Sequence, residues 1–314
     1  MADVVDQGGG TQDAPHERRA ETGFAILGLR AEGERLQPGL HVVATPIGNL
    51  RDVSLRALGT LASADAVLAE DTRVTKRLLA HYGISTPLVA YHEHNAAAMR
   101  PRLLARLSEG ATLALVSDAG TPLVSDPGFK LVEAAVAAGH FVTGVPGPSA
   151  VLAALVVAGL PTDRFFFEGF LPSKEAARRA RLKALSLVPG TLVLFESPRR
   201  VADLLGDAAA ILGDRRAAVA RELTKMFEET RRGRLSDLAA LYAGEPDPRG
   251  EIVVLIEGAG EAEAPDAQDV EGRLRLALAS HSLKEAVAIV AAQTGEARRT
   301  VYAKALELTR EDAP

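Results

Sequence analysis

The 314-residue chain reads as an α/β protein of two domains with a small helical C-terminal extension. Three observations carry this. Over the first half, short apolar runs alternate with helix-length amphipathic segments, the pattern of a largely parallel sheet. Over the second half, apolar strands follow one another with fewer helices between them, which implies a mixed sheet. After the last strand an acidic, Ala-rich stretch gives way to apolar residues at helical spacing.

Residues 1–37 are polar and rich in Gly, Asp, Glu and Arg, and are expected to form a mostly disordered leader with a few residues resting on the body. The first domain, 38–161, opens with the strand 40–45 and its turn Pro46, Gly48, Asn49. A helix over 53–63 follows, then the strand 66–71, ending in Glu70 and Asp71. Thr72 is placed to cap the helix 73–82 and Gly83 to end it. The strand 88–91 runs into His92, Glu93, His94 and Asn95, expected as a loop before a helix over 96–108. The apolar run 111–116 enters Leu115–Gly128, LVSDAGTPLVSDPG, too rich in turn formers for helix or sheet. A helix starts at Phe129 and ends near Gly139. The strand 141–145 then enters VPGPSA, with Ser149 as cap of the next helix.

The second domain, 162–258, has strands at 164–170, 191–197, 217–225 and 251–258, with MFEETRRG as a hairpin partner of the third. Its first helix carries Lys174, Arg178, Arg179, Arg181 and Lys183, and Arg199 and Arg200 open the second. Residues 259–269 form the acidic linker and 270–314 the helical tail.

The chain has no cysteine, which excludes disulfides and thiolate metal sites and fits a reducing cytoplasm. A net charge of −5 argues against nucleic-acid binding through the whole surface, so a polyanion partner needs a local basic patch. No apolar run approaches the length of a membrane span, and no membrane partner is expected.

Three Gly/Pro turns follow strands: TPIGN at 45–49, SDAGTP at 117–122 and VPGPS at 145–149. Parallel strands deliver such turns to one sheet edge, where their N–H groups and helix N-termini suit an anionic group. Asp118 could accept from an ammonium or a ribose hydroxyl. Neither a G-x-G-x-x-G fingerprint nor a G-x-x-x-x-G-K-[ST] phosphate loop is present. His92, Glu93 and His94 read as a solvated loop before they read as metal ligands, and no metal is expected. Glu70 and Asp71 fit an acid/base pair or the acidic first turn of a helix. The Arg-rich helix at 174–183 fits a solvated face or a phosphate-contacting patch. In RELTK, 221–225, Glu222 or Lys225 could activate a hydroxyl if neighbours moved its pKa.

SDAGTPLVSDPG, preceded by ATPIGNLRD and AEDTR and followed by VPGPSA, FEGFLPSK, FESPRR, RELTKMFEE and RGEIVVLIEG, resembles the ribosomal RNA small-subunit methyltransferase I family. That family belongs to the tetrapyrrole-methylase-like, class III methyltransferases. The resemblance covers about 40–258, and the tail is similar to the family's C-terminal extension. It implies two α/β domains of the tetrapyrrole-methylase type with the cofactor in the cleft between them, and a homodimer. It also implies S-adenosyl-L-methionine as cofactor and methylation of the ribose 2′-hydroxyl of a decoding-centre cytidine in 16S rRNA, within the small ribosomal subunit. Carried over by motif, cofactor contacts come from Pro46, Asp118, Gly120, Thr121 and Ser149, with Glu196, Leu223 and Thr224 closing the site from the second domain. A ribose hydroxyl is a poor nucleophile, so Glu222 and Lys225, then Glu70 and Asp71, are the candidates for moving its proton. Lys174, Arg178, Arg179, Arg199 and Arg200 are the candidates for holding RNA phosphates. The alternatives are a methyltransferase of the same fold acting on a tetrapyrrole or other small molecule, and a non-catalytic ribosome-binding protein docked through the tail.

Overall fold

The computed structural model describes residues 23–33, 35–123, 128–259 and 267–311. The chain divides into two compact units, Met1–Val157 with Ala220–Thr230 and Ala158–Val219 with Arg231–Pro314.

The first unit opens with an antiparallel hairpin, β1 (Gly23–Ile26) and β2 (Leu29–Glu32). This corrects the expected leader over 1–37, of which residues 1–22 lie outside the described residues. Phe24 is buried in the apolar cluster of the first helix, and the Ala25 N–H donates to the Tyr82 carbonyl at 2.7 Å. Ile26 and Ala31 pack on the same cluster, so the apolar run GFAILGL is held by its own hydrophobic residues.

The body then alternates as β3 (Gly39–Val43), α1 (Leu55–Ser63), β4 (Ala66–Ala69), α2 (Thr72–His81), β5 (Leu88–Ala90), α3 (Glu93–Ser108), β6 (Thr112–Leu115), α4 (Phe129–Ala137), β7 (Val142–Val145) and α5 (Ala150–Val157). The strands form one sheet in the order β5-β4-β6-β3-β7, with every neighbouring pair parallel. Both faces are covered, which is why strands such as AVLA in β4 are apolar throughout. Its Val67 and Ala69 join Val43, Leu58 and Leu61 on one face, while Ala66 and Leu68 join Leu40, Leu103 and Leu131 on the other.

Two helix starts differ from expectation. Asp71, not Thr72, caps α2, its carboxylate accepting from the Arg73 N–H at 2.8 Å. His92 to Asn95 are not a loop: the Asn95 side chain accepts from the His92 N–H at 2.9 Å, and the helix begins at Glu93. Asn at the third helical position satisfies an otherwise orphaned donor.

The second sheet takes its strands from β8 (Phe165–Phe170), β9 (Thr191–Glu196), β10 (Arg216–Arg221), β11 (Glu229–Arg234) and β12 (Ile252–Ile256), in the order β11-β10-β12-β9-β8. It is mixed, since β8 and β9 are parallel while β9 and β12 are antiparallel. The helices α6 (Glu175–Leu185), α7 (Val201–Leu212) and α8 (Leu235–Gly244) cover it, burying Leu182, Leu204 and Leu238 on Leu192, Leu194 and Val254. The strand expected over 217–225 stops at Arg221, because Glu222 and Thr224 take positive φ angles of 50° and 66°.

Of the linker expected at 259–269, residues 260–266 lie outside the described residues. The tail forms three helices, α9 (Ala267–Leu278), α10 (Leu283–Thr294) and α11 (Arg298–Glu311), around its own core of Val270, Leu274, Val287, Val290, Val301, Ala305 and Leu308.

Candidate active site

The strand order of the parallel sheet places β6 and β7 on either side of β3, so the turns leaving these strands are neighbours. They are also bonded to one another. Thr45 and Gly120 exchange backbone hydrogen bonds of 2.9 and 3.0 Å, forming an isolated antiparallel bridge. The Thr121 hydroxyl donates to the Pro148 carbonyl at 3.2 Å, tying the second turn to the third. Gly120 sits at φ 77°, and a β-carbon there would lie 3.2 Å from Ile47 Cγ2. An L side chain is disfavoured on both counts.

The strand β4 adds a fourth turn from the other side of β6. Asp118 is exposed, and its Oδ1 accepts from the Asp71 N–H at 2.9 Å. One carboxylate oxygen is thereby fixed, which orients the other. The Ser149 hydroxyl accepts from the Leu152 N–H at 3.4 Å at the start of α5.

The loop 222–228 completes the cluster within this unit. The Asn49 N–H donates to the Thr224 hydroxyl at 3.2 Å, and the Lys225 stem lies on Gly48, where an added β-carbon would fall 2.6 Å from Cγ. Lys225 Nζ bonds Glu222 Oε1 at 2.8 Å, and the Glu228 carboxylate accepts from the Thr224 N–H at 2.7 Å. Two non-glycine residues in the left-handed region, held by this many bonds, are backbone strain of the kind that accumulates at functional sites. Leu223 is buried beneath them.

Pro46, Asp118, Gly120, Thr121, Ser149, Glu222, Leu223, Thr224 and Lys225 therefore fall in one unit, on turns linked by these contacts, which corrects the expectation that Leu223 and Thr224 act from the second domain. Asn49 and Thr45 join them, though sequence reasoning did not single them out. Their signal lay in the quoted TPIGN turn, whose Asn offers both a backbone donor and a side chain that accepts from the Arg51 N–H at 3.1 Å.

Other expected site residues have local structural work. Asp71 is held by Arg73, and the guanidinium, then the Arg73 backbone N–H, lower its pKa to about 2. Capping α2 and pairing with Arg73, this carboxylate fits the acidic helix start, the second of the two readings of Glu70 and Asp71. Glu70, half-buried, lies beside it at the end of β4. Glu196, in the second unit, has a fully buried carboxylate that accepts from the Ser197 N–H at 2.7 Å and pairs with Arg200 at 3.3 Å. Its Oε2 is buried and accepts no hydrogen bond within the protein.

The basic candidates need a correction. Arg178 is buried and paired with the buried Asp207 at 2.8 Å, and Arg179 pairs with the same carboxylate from a more exposed position. Arg200 also donates to the Leu171 and Pro172 carbonyls at 3.0 and 3.2 Å. Arg178 and Arg200 are thus internal braces between secondary-structure elements, and Arg178 is hidden in a helix whose run of cations made it look like part of a solvated face. Lys174 and Arg199 are exposed. Among the described residues no group of three or more metal-ligating side chains is brought together, and no helix is long and apolar enough to cross a membrane.

The profile of the family described as "Tetrapyrrole (Corrin/Porphyrin) Methylases" matches residues 39–239, and that of the "RsmI C-terminal HTH domain" matches residues 264–309. Curated relatives called ribosomal RNA small subunit methyltransferase I include one from Mesorhizobium japonicum, 53% identical over 275 residues, covering 87% of this chain and 93% of that protein. Another, from Pseudomonas aeruginosa, is 49% identical over 85% of this chain and 96% of its own length. Among solved structures, the uroporphyrin-III C-methyltransferase from Thermus thermophilus superposes with a TM-score of 0.51 at 25% identity, covering 71% of this chain and 95% of that one. A cobalt precorrin-4 methyltransferase gives 0.53 at 20% identity, covering 69% and 94%. Related over nearly the full length of these proteins and matched in both its α/β body and its tail, the chain is a methyltransferase of the tetrapyrrole-methylase fold and belongs to the ribosomal RNA small subunit methyltransferase I family.

Proposed function

We propose that the protein transfers a methyl group from S-adenosyl-L-methionine to the ribose 2′-hydroxyl of a decoding-centre cytidine in 16S rRNA. It would act in the cytoplasm, as a homodimer, on the small ribosomal subunit. The observation that supports this most is the bonded cluster of turns around Asp118. Its residues fit the cofactor: an oriented carboxylate for an ammonium or ribose hydroxyl, turn N–H groups for a carboxylate, and a Cβ-free backbone at Gly120. Pro46, Gly120, Thr121, Ser149, Leu223 and Thr224 would hold it with Asp118. When bound, it supplies an electrophilic methyl group on a sulfonium.

The chain's own residues then align, shield and manage a proton. Alignment of acceptor and donor is the chief device for an in-line displacement. The buried Ile47 and Leu223 keep water from the floor of the cluster. Lys225, oriented by Glu222, offers an ammonium that favours an alkoxide developing on the acceptor, and Glu222 offers a carboxylate to receive its proton. Lys174, Arg179 and Arg199 are the phosphate-holding candidates that remain exposed.

The test is methyl transfer from labelled adenosylmethionine to small ribosomal subunits from a strain lacking the gene, with the modified nucleotide mapped. Label on one decoding-centre cytidine as a 2′-O-methyl group is the expected result. Label on a base, or on no ribosomal substrate, would sink the proposal.

A further inference from the structure

The tail helices contribute none of the candidate site residues described above, yet they carry exposed charges that no ion pair accounts for. Helix α10 ends at Thr294, Gly295 turns left-handed at φ 73°, and α11 begins at Arg298. Two helices joined by a three-residue turn containing Gly agree with the helix-turn-helix profile matched over 264–309; where that motif binds DNA, the N-terminal residues of its second helix face the nucleic acid. The inward side of α11 is Val301, Ala305 and Leu308. Beside that side, Arg298, Arg299 and Tyr302 span about 100° of the helix circumference.

All three are exposed, Tyr302 by 45%. Two cations in a first helical turn oppose the helix dipole. That turn contains no acidic residue, and neither guanidinium enters an ion pair among the described residues. Elsewhere in the tail charges are used, as in Arg275 with Glu271 and Glu285 with Ser282. Fold stability therefore gives no reason for Arg298 and Arg299 at this place, and a polyanion would supply the missing counter-charge.

We propose that the N-terminal half of α11 is an RNA-docking surface, with Arg298 and Arg299 on phosphates and Tyr302 stacked on an unpaired base. The major groove of an A-form duplex is too deep and narrow for a helix, so the ligand is single-stranded or junction RNA. The inference rests on the small-subunit RNA reading of the function, and it gives the tail the role of holding that substrate.

The experiment compares the full chain with Arg298→Ala/Arg299→Ala and with Tyr302→Ala, using unmethylated small subunits and labelled adenosylmethionine. The double variant should raise KM for subunits about tenfold or more and leave kcat and cofactor binding unchanged. Loss of two single-strand phosphate contacts should flatten the dependence of log affinity on log salt by about 1.4. Arg298→Lys/Arg299→Lys should restore most of that slope, and Tyr302→Phe should keep the stacking. Unchanged KM and slope in an active enzyme would overturn the proposal. If the wild type transfers no label, the functional reading fails by itself, and the surface is judged by direct binding of protein-free small-subunit RNA. Weaker RNA binding by the double variant then upholds it. Equal binding, or preference of the wild type for duplex DNA, overturns it.

Discussion

The backbone N–H of Asp71 donates to the carboxylate of Asp118 at 2.9 Å, so the helix end after β4 holds the acid that follows β6. Two motifs 47 residues apart in sequence, AEDTR and SDAGTP, are thereby one structural feature. The strand order produces it, since β4 and β6 are neighbours in the sheet.

Asp118→Ala should remove adenosylmethionine binding while leaving the protein folded. The lost hydrogen bond is exposed and should cost about 1 kcal/mol. A ligand that binds the native state raises apparent stability by mass action, so wild type should melt higher with the cofactor and the variant should not. An undiminished cofactor-dependent shift in the variant would move the ammonium or ribose contact elsewhere.

Gly120→Ala tests the bridge itself. The residue sits at φ 77° with Ile47 3.2 Å from the added carbon, so strain and crowding act together. A destabilisation of about 1–2 kcal/mol is expected, with a larger proportional loss of cofactor affinity as the Thr45–Gly120 bridge shifts. Urea unfolding and cofactor titration measured on the same preparation separate the two effects. Wild-type affinity in a destabilised variant would show that the turn's exact shape is immaterial to binding.

Much of this was legible in the sequence. The parallel sheet followed from apolar runs separated by helix-length segments, and the cluster of turns followed from Gly and Pro after three of those runs. The hairpin at Gly23–Glu32 lies inside the expected leader, where its apolar run GFAILGL around a Leu-Gly turn is diluted by the polar residues on either side. Arg178 and Arg200 misled for another reason. Sequence shows that a cation lies on a helix, but Asp207 and Glu196, which decide whether it faces inward, are placed by tertiary packing. The exchange of Thr72 for Asp71 as helix cap was a choice between two competent neighbours, and it is the Asp71 carboxylate that takes the Arg73 N–H.

The acid limb of stability should carry the signature of Asp71. The Arg73 side chain, then the Arg73 backbone N–H, lower its pKa from 3.8 to about 2. A carboxyl depressed on folding contributes stability that is complete above the unfolded value and lost as pH falls through the folded one. Asp71→Asn keeps a competent cap but removes the titration. Its urea midpoint should therefore fall less steeply than wild type between about pH 4 and pH 2. Parallel curves for the two proteins would show that the pair with Arg73 does not persist in solution.

Asp207 distinguishes an internal brace from an RNA contact. Asp207→Ala strands the buried Arg178 guanidinium and should cost about 3–5 kcal/mol, whereas Arg178→Met/Asp207→Leu should fold with stability near wild type. The double variant should keep the salt dependence of RNA binding, because the charge it removes does not face solvent. A flattened slope would return Arg178 to the phosphate-holding set.

Lys225 and Glu222 should separate by pH. If the ammonium favours the developing alkoxide, Lys225→Met lowers kcat at every pH with KM for the cofactor little changed, since the interaction strengthens only as charge develops. A loss of about 10²–10³-fold is expected for removing one such electrostatic partner. Glu222→Gln keeps the carbonyl that accepts from Lys225 Nζ but loses the proton acceptor, so it should abolish the acidic limb of the kcat profile while Lys225 stays oriented. Retention of that limb in Glu222→Gln would pass the proton to Glu70, the half-buried neighbour of Asp71 at the end of β4.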